Sequence, residues 1–207
     1  MMNSDNDHVR PSARLELKWR HVATRLAAKV MAVHFEAGAD ASHVIDEFVI
    51  RQALREVLID LLSTSFVSTK EASYPNSRRR MDLTVGPCNA SIDFAIELKG
   101  TGASIEQLRE DWKKMLLFTR GNRISILSGI VSAHRFARLS KRLDEINRDL
   151  GQQNEVHQVA HDSFRLSSEV AEASANSEKT LISFAYIWHI GGPDQPVPTV
   201  AYHLLPV

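Results

Sequence analysis

Hydrophobic spacing along this chain switches from helical to strand-like and back, and each switch marks a boundary. Residues 13–35 carry apolar side chains at helical intervals among strong helix formers, and residues 43–62 repeat the pattern more cleanly. Two amphipathic helices are expected there, separated by the break Gly38-Ala39-Asp40-Ala41-Ser42, which also offers an N-cap. From residue 65 the period shortens to two. Residues 65–71, 79–85 and 91–99 read as strands, with Tyr74-Pro75-Asn76-Ser77 and Gly86-Pro87-Cys88-Asn89 turning between them, and an antiparallel meander is predicted. Helical spacing returns after Gly100-Thr101-Gly102-Ala103-Ser104, where Ser104 and Gln107 are placed as a capping box, and runs to about Thr119. Residues 123–131 have the composition of a buried strand, and residues 132–150 that of another helix. Beyond them come a polar stretch with weak helical periodicity over 151–177, a strand over 180–190, a turn over 191–198 and a last strand over 199–205.

The third strand carries the chemistry. In Ser91-Ile92-Asp93-Phe94-Ala95-Ile96-Glu97-Leu98-Lys99, side chains alternate faces, so Ile92, Phe94, Ile96 and Leu98 point one way and Asp93, Ala95, Glu97 and Lys99 the other. Holding a carboxylate and an ammonium two residues apart against an apolar reverse face is costly without a purpose. Asp82, on the preceding strand, has the parity that brings it to the same cluster. On the helix over 43–62, Glu47 shares a face with Ile50, Leu54, Val57, Leu58 and Leu61 whereas Glu56 lies opposite, so Glu47 is the acid expected to reach the site. On the helix after Lys99, Ile105, Leu108, Trp112, Met115 and Leu116 make a core stripe flanked by Gln107, Asp111 and Lys114. Gln107 and Lys114 are expected to touch a substrate backbone.

Length and charge narrow the picture. A chain of 207 residues supports one well-filled core with extensions, divided into an N-terminal, partly helical extension (1–40), a core (41–150) and a C-terminal extension completing the sheet (151–207). No run approaches the roughly 18 apolar residues that span a bilayer, so a membrane role is not expected. The polar start lacks a secretory signal and the lone Cys88 excludes an intramolecular disulfide, which suggests a cytoplasmic setting. Net charge is zero, but residues 51–150 carry 17 Lys and Arg against 12 Asp and Glu, whereas residues 151–207 carry 2 against 6. The basic half holds the motif, and Arg80, ending the run Arg78-Arg79-Arg80, is a candidate for substrate contact.

Phosphodiester cleavage needs charge neutralised on the scissile phosphate, hydroxide drawn from water and a stabilised leaving oxyanion. Asp82 and Glu97 are hard oxygen donors suited to magnesium, and Lys99 lies about 6–7 Å along the strand from Glu97. The series Arg79-Arg80-Met81-Asp82-Leu83, Ala95-Ile96-Glu97-Leu98-Lys99, preceded by the Glu47 helix and followed by Gln107, resembles the PD-(D/E)XK nuclease superfamily over roughly residues 43–131, with Met81 where the nominal motif has proline. That resemblance implies an α/β, restriction-endonuclease-like core, a mixed central β-sheet flanked by helices, dependence on Mg2+ with Mn2+ as a substitute, and DNA as substrate. It also implies Asp82 and Glu97 as metal ligands joined by the Leu98 carbonyl, Lys99 as catalytic lysine and Glu47 as an accessory acid. The expected function is a magnesium-dependent DNA endonuclease of restriction, repair or defence, with DNA as partner and a homodimer or a partner protein left open by the sequence. The alternative is a non-catalytic nucleic-acid-binding or assembly subunit with the same fold; a third reading has the acidic 151–207 segment docking on a partner enzyme. His157 and His161 are spaced as a helical metal pair but lack a third ligand in sequence, His134 reads as a packing or capping residue, and Trp112 and Trp188 as core.

Overall fold

The structure is a computed structural model that describes residues 17–37, 45–62, 64, 66–67, 72–86, 92–119, 121–149, 181–190 and 198–205. Five strands, β1 (Leu83–Val85), β2 (Phe94–Lys99), β3 (Asn122–Ser132), β4 (Leu181–His189) and β5 (Pro198–Leu205), lie side by side in chain order. The sheet is mixed: β2 and β3 run parallel, and every other neighbouring pair is antiparallel. A parallel pair needs a crossover, and α3 (Ile105–Met115) supplies it. The other helices are α1 (Trp19–Ala37), α2 (Glu47–Leu62) and α4 (Ala133–Asp149).

Because β2 to β4 are buried on both faces, their alternation sorts side chains into two cores. On one face Phe94, Ile96, Leu98, Ile124, Ile126 and Ile187 meet Leu26 and Val30 of α1 and Ile50, Leu54 and Leu58 of α2. On the other, Ala95, Leu127, Val131, Phe184, Tyr186 and Trp188 meet Leu108, Trp112 and Met115 of α3 and Phe136 and Leu143 of α4. The molecule is therefore an α/β sandwich of helix, sheet and helix layers. The helix expected in the N-terminal extension forms one wall of the first core, and Ser183 of β4 donates a buried 2.6 Å hydrogen bond to its Ala27 carbonyl. Strands β4 and β5, within residues 151–207, extend the sheet by two. Trp112 and Trp188 pack together at 5.7 Å, as core residues should.

The second and third strands of the expected meander pair as expected, and most of the first lies outside the described residues. Strands β1 and β2 pair antiparallel, but the segment expected as the first strand makes only isolated bridges among the described residues, Val67 to Val85 and, beyond it, Ser73 to Arg80. Of residues 65–71 only 66–67 are described, and Val67 is buried against the sheet core. The turn at Tyr74-Pro75-Asn76-Ser77 is formed, with Ser77 N–H donating to the Tyr74 carbonyl at 3.1 Å and Asn76 at φ 55°, the geometry of a Pro-Asn turn. Helix α2 starts at Glu47, with the Asp46 side chain accepting the Val49 N–H at 2.9 Å, four residues later than expected. Cys88, His157 and His161 lie outside the described residues. No helix among the described residues is long and apolar enough to cross a membrane.

One glycine fixes the loop that follows Lys99. Gly129 of β3 has φ 151°, and a Cβ there would stand 2.4 Å from Thr101 Cγ2. Both the backbone and the neighbour exclude a side chain. Gly129→Ala is expected to lower stability by about 2 kcal/mol or more, read as a shift in the urea midpoint, because strain at a positive-φ position adds to the displacement of Thr101.

Candidate active site

Parity and register bring the acids together. Leu83 pairs with Ile96 in the β1–β2 ladder, so one step outward Asp82 faces Glu97. There the chain bends, and instead of continuing the ladder Asp82 accepts the Leu98 N–H on its Oδ2 at 2.8 Å. Glu97, on the α3 side of the sheet, is only 1% exposed. A buried carboxylate must have its oxygens satisfied, and both are: Tyr74 Oη donates to Oε1 at 2.6 Å and Lys114 Nζ to Oε2 at 2.5 Å.

Helix α3 delivers the rest. Its N-terminus is locked by the capping box that the sequence predicts, the Gln107 N–H donating to Ser104 Oγ at 3.2 Å and the Ser104 N–H to Gln107 Oε1 at 2.7 Å. With Leu108, Trp112 and Met115 against the sheet, the adjoining row carries Asp111 and Lys114 over the ends of β2. Asp111 lies between both lysines, with Lys99 Nζ 3.0 Å from Oδ2 and Lys114 Nζ 3.4 Å from Oδ1. Asp111 Oδ2 is buried without an aligned hydrogen bond, so its link to Lys99 is a contact of charges. Lys99 Nζ also donates to the Leu98 carbonyl at 3.1 Å and stands 3.6 Å from Glu47 Oε1. The start of α2 lies close to the end of β2: a Cβ at Gly100 would meet Glu47 Cγ and Ile50 Cδ1 at ordinary van der Waals range, 3.7 Å each.

Several residues differ in role from what the sequence predicts. Glu47 is not buried in the stripe of α2 but is its first residue, with its side chain 52% exposed, and it meets Lys99 rather than the carboxylates. Glu56 is paired outside the cluster with Lys29 at 2.6 Å. Lys114, expected on a substrate backbone, is drawn inward, because a buried carboxylate recruits the nearest ammonium. Gln107 is exposed and its side-chain oxygen serves the cap. Arg80 is exposed beside the hairpin, and His134 is exposed at the start of α4. Tyr74 and Asp111 join the cluster although the sequence gives neither a functional role; Asp111 is visible there only as part of the flank with Gln107 and Lys114.

The electrostatics follow from burial. Burial first, and the Asp82 charge next, push the Glu97 carboxyl up to about 7, against the pull of Lys114 and Tyr74. Burial followed by the charge of Glu97 raises the Tyr74 hydroxyl, so it stays a donor. Burial opposes the charge on Lys99, but Asp111, Glu47 and Asp82 outweigh it and hold the ammonium above its ordinary value. Glu47, Asp82, Glu97 and Asp111 set four acids against the two ammonium groups of Lys99 and Lys114.

The fit of a divalent ion can be judged from these donors. Asp82, Glu97 and the Leu98 carbonyl are hard oxygens gathered at the end of β2, where the acids of the cluster outnumber its ammonium groups by two. Among the described residues no group of three or more His, Cys, Asp or Glu side chains converges as a metal site. A site at this strand end would rest on two carboxylates and a main-chain carbonyl. No family model matches the chain, and no curated protein or solved structure shows significant similarity to it.

Proposed function

We propose that the chain is a magnesium-dependent DNA endonuclease on a restriction-endonuclease-like core. The observation that carries this reading is the meeting of Asp82 and Glu97 across neighbouring segments, with Lys99 held at the same strand end. The element order supports it too: a helix bearing Glu47, an antiparallel strand pair with Glu97 on one strand and Asp82 just before the other, a crossover helix and a parallel strand. A cluster of acids around the buried Glu97 that outnumbers its ammonium groups is an expensive arrangement, and it is explained if a divalent cation completes it.

Asp82, Glu97 and the Leu98 carbonyl would hold Mg2+. Bound there, the ion supplies positive charge at the scissile phosphate and makes water acidic enough to yield hydroxide near neutral pH. Lys99 is kept protonated by Asp111 and Glu47, so it acts as a donor rather than a base. It orients the attacking water or donates to a phosphate oxygen as charge builds. Asp111 and Glu47 position that ammonium. Arg80 and the exposed Arg109 and Lys113 are suited to backbone phosphates as surface cations.

Incubating the purified chain with linear, circular and branched DNA tests the proposal. Nicking that requires Mg2+ or Mn2+ and stops with chelator is the expected result. DNA retained but never nicked in either metal would favour the rival, a nucleic-acid-binding subunit with the same fold.

A further inference from the structure

Lys114 has no assigned part in the chemistry above, yet it makes the tightest ionic contact of the cluster. Its ammonium lies on Glu97 Oε2 at 2.5 Å, 3.4 Å from Asp111 Oδ1, and 5.6 Å from the centre of the Tyr74 ring. It therefore sits at a junction of three groups that favour a cation. Only one of them, Glu97, belongs to the proposed metal donors.

We propose that Lys114 is an internal counter-cation of the metal-free site, exchanging from Glu97 to Asp111 when a divalent ion enters. The proposal deepens the reading of the site as a magnesium centre and rests on it. Glu97 is sealed from water, so without a metal its charge must be balanced from within the protein, and Lys114 is the ammonium in contact with it. A divalent ion beside Oε2 would place two cations within a few ångströms of each other in a poorly screened pocket. The lysine must then give way. Its flexible stem lets the ammonium turn, and Asp111 Oδ1 is already at ion-pair range, so leaving Glu97 strands no charge. Tyr74 meanwhile keeps its hydrogen bond to Oε1, holding the carboxylate plane while the partner on Oε2 changes. A consequence is selectivity. A monovalent ion would replace one unit charge by another and gain nothing over the ammonium, whereas a divalent ion adds the charge that the acid excess lacks.

Mn2+ binding to the DNA-free protein, measured by calorimetry, tests this without reference to cleavage. Lys114→Gln should bind Mn2+ about tenfold more tightly than the wild type, and Lys114→Arg, which keeps the charge, within about threefold of it. Lys99→Gln removes the same charge from a position not on a carboxylate ligand, and should tighten binding less than Lys114→Gln. A companion measurement needs no destabilising change: the lysine side-chain ε-CH2 signals of 13C-lysine-labelled wild-type protein, with the Lys114 signal assigned by its loss in Lys114→Arg. That signal should move on Mg2+ saturation. Unchanged or weaker affinity in folded Lys114→Gln, or a Lys114 signal that stays put while metal binds, overturns the exchange but leaves the metal site standing. Failure of the wild type and Lys114→Gln alike to bind Mn2+ overturns both the exchange and the metal reading beneath it.

Discussion

Asp82→Asn and Lys99→Met are each expected to lower DNA cleavage by about a thousandfold or more, with the fold retained. The choice of replacement matters for Asp82. Its Oδ2 accepts the Leu98 N–H at 2.8 Å, and alanine would leave that donor unpaired at the end of β2. Asparagine keeps an acceptor while removing the charge, so a loss of rate reports on chemistry rather than on a frayed strand. Lys99 can be removed at modest structural cost, because Asp111 retains Lys114 at 3.4 Å and Glu47 is already half in water. Both variants should still bind DNA, since neither side chain belongs to the exposed basic surface. Cleavage by either purified, folded variant within about threefold of the wild type would refute the assigned roles. Equal and total absence of cleavage in all three proteins, with DNA binding intact, would point to the binding-subunit reading instead.

How far the site is legible in the sequence depends on which links are periodic. The alternation in β2 places Glu97 opposite Ile96 and Leu98 whatever the tertiary context, and the antiparallel register carries Asp82 to it, so the pair of acids can be read directly. The row Gln107, Asp111, Lys114 is also visible as a helical flank, because it adjoins a clear apolar stripe. What the row does is not. Period says which face a side chain lies on but not which charge it meets, and Lys114 goes to the carboxylate with the least access to water rather than to a substrate. Tyr74 is hidden for another reason: it looks like a turn residue beside Pro75, and its bond to Glu97 spans 23 positions with no repeat to announce it. Of the first strand of the meander, expected over 65–71, only residues 66–67 are described, and Val67 bridges to Val85 there. The angle of Glu47 on its helix points to the buried stripe, but angle does not specify how near the end a residue lies, and an end residue on that stripe reaches into solvent.

Lys114→Met is the second substitution with a large expected effect, and its size should depend on pH. Removing one partner of a buried ion pair strands the other, which costs about 3 kcal/mol or more when that group is charged. Glu97 is charged only above its elevated pKa. In the wild type, burial and Asp82 raise that carboxyl from 4.5 to about 7, so the folded chain holds a proton that the unfolded chain has released. The Glu97 contribution to stability therefore falls as pH rises from 4.5 toward 7, then levels off. Lys114 is one of the groups holding the value down, and without it the carboxyl keeps its proton to higher pH. The decline should then continue past neutrality. Urea midpoints measured from about pH 5.5 to about pH 8.5 are expected to show a small penalty for Lys114→Met at the acid end, growing steadily toward the alkaline end. A penalty that is constant, or larger in acid, would mean that Glu97 is not the group left uncompensated. Adding Glu97→Gln to Lys114→Met removes the titrating carboxyl while keeping an acceptor for the Tyr74 hydroxyl, and should flatten the pH dependence. If the slope survives in that double variant, the titration belongs to another acid of the cluster, and Lys114 is not the cation that balances Glu97.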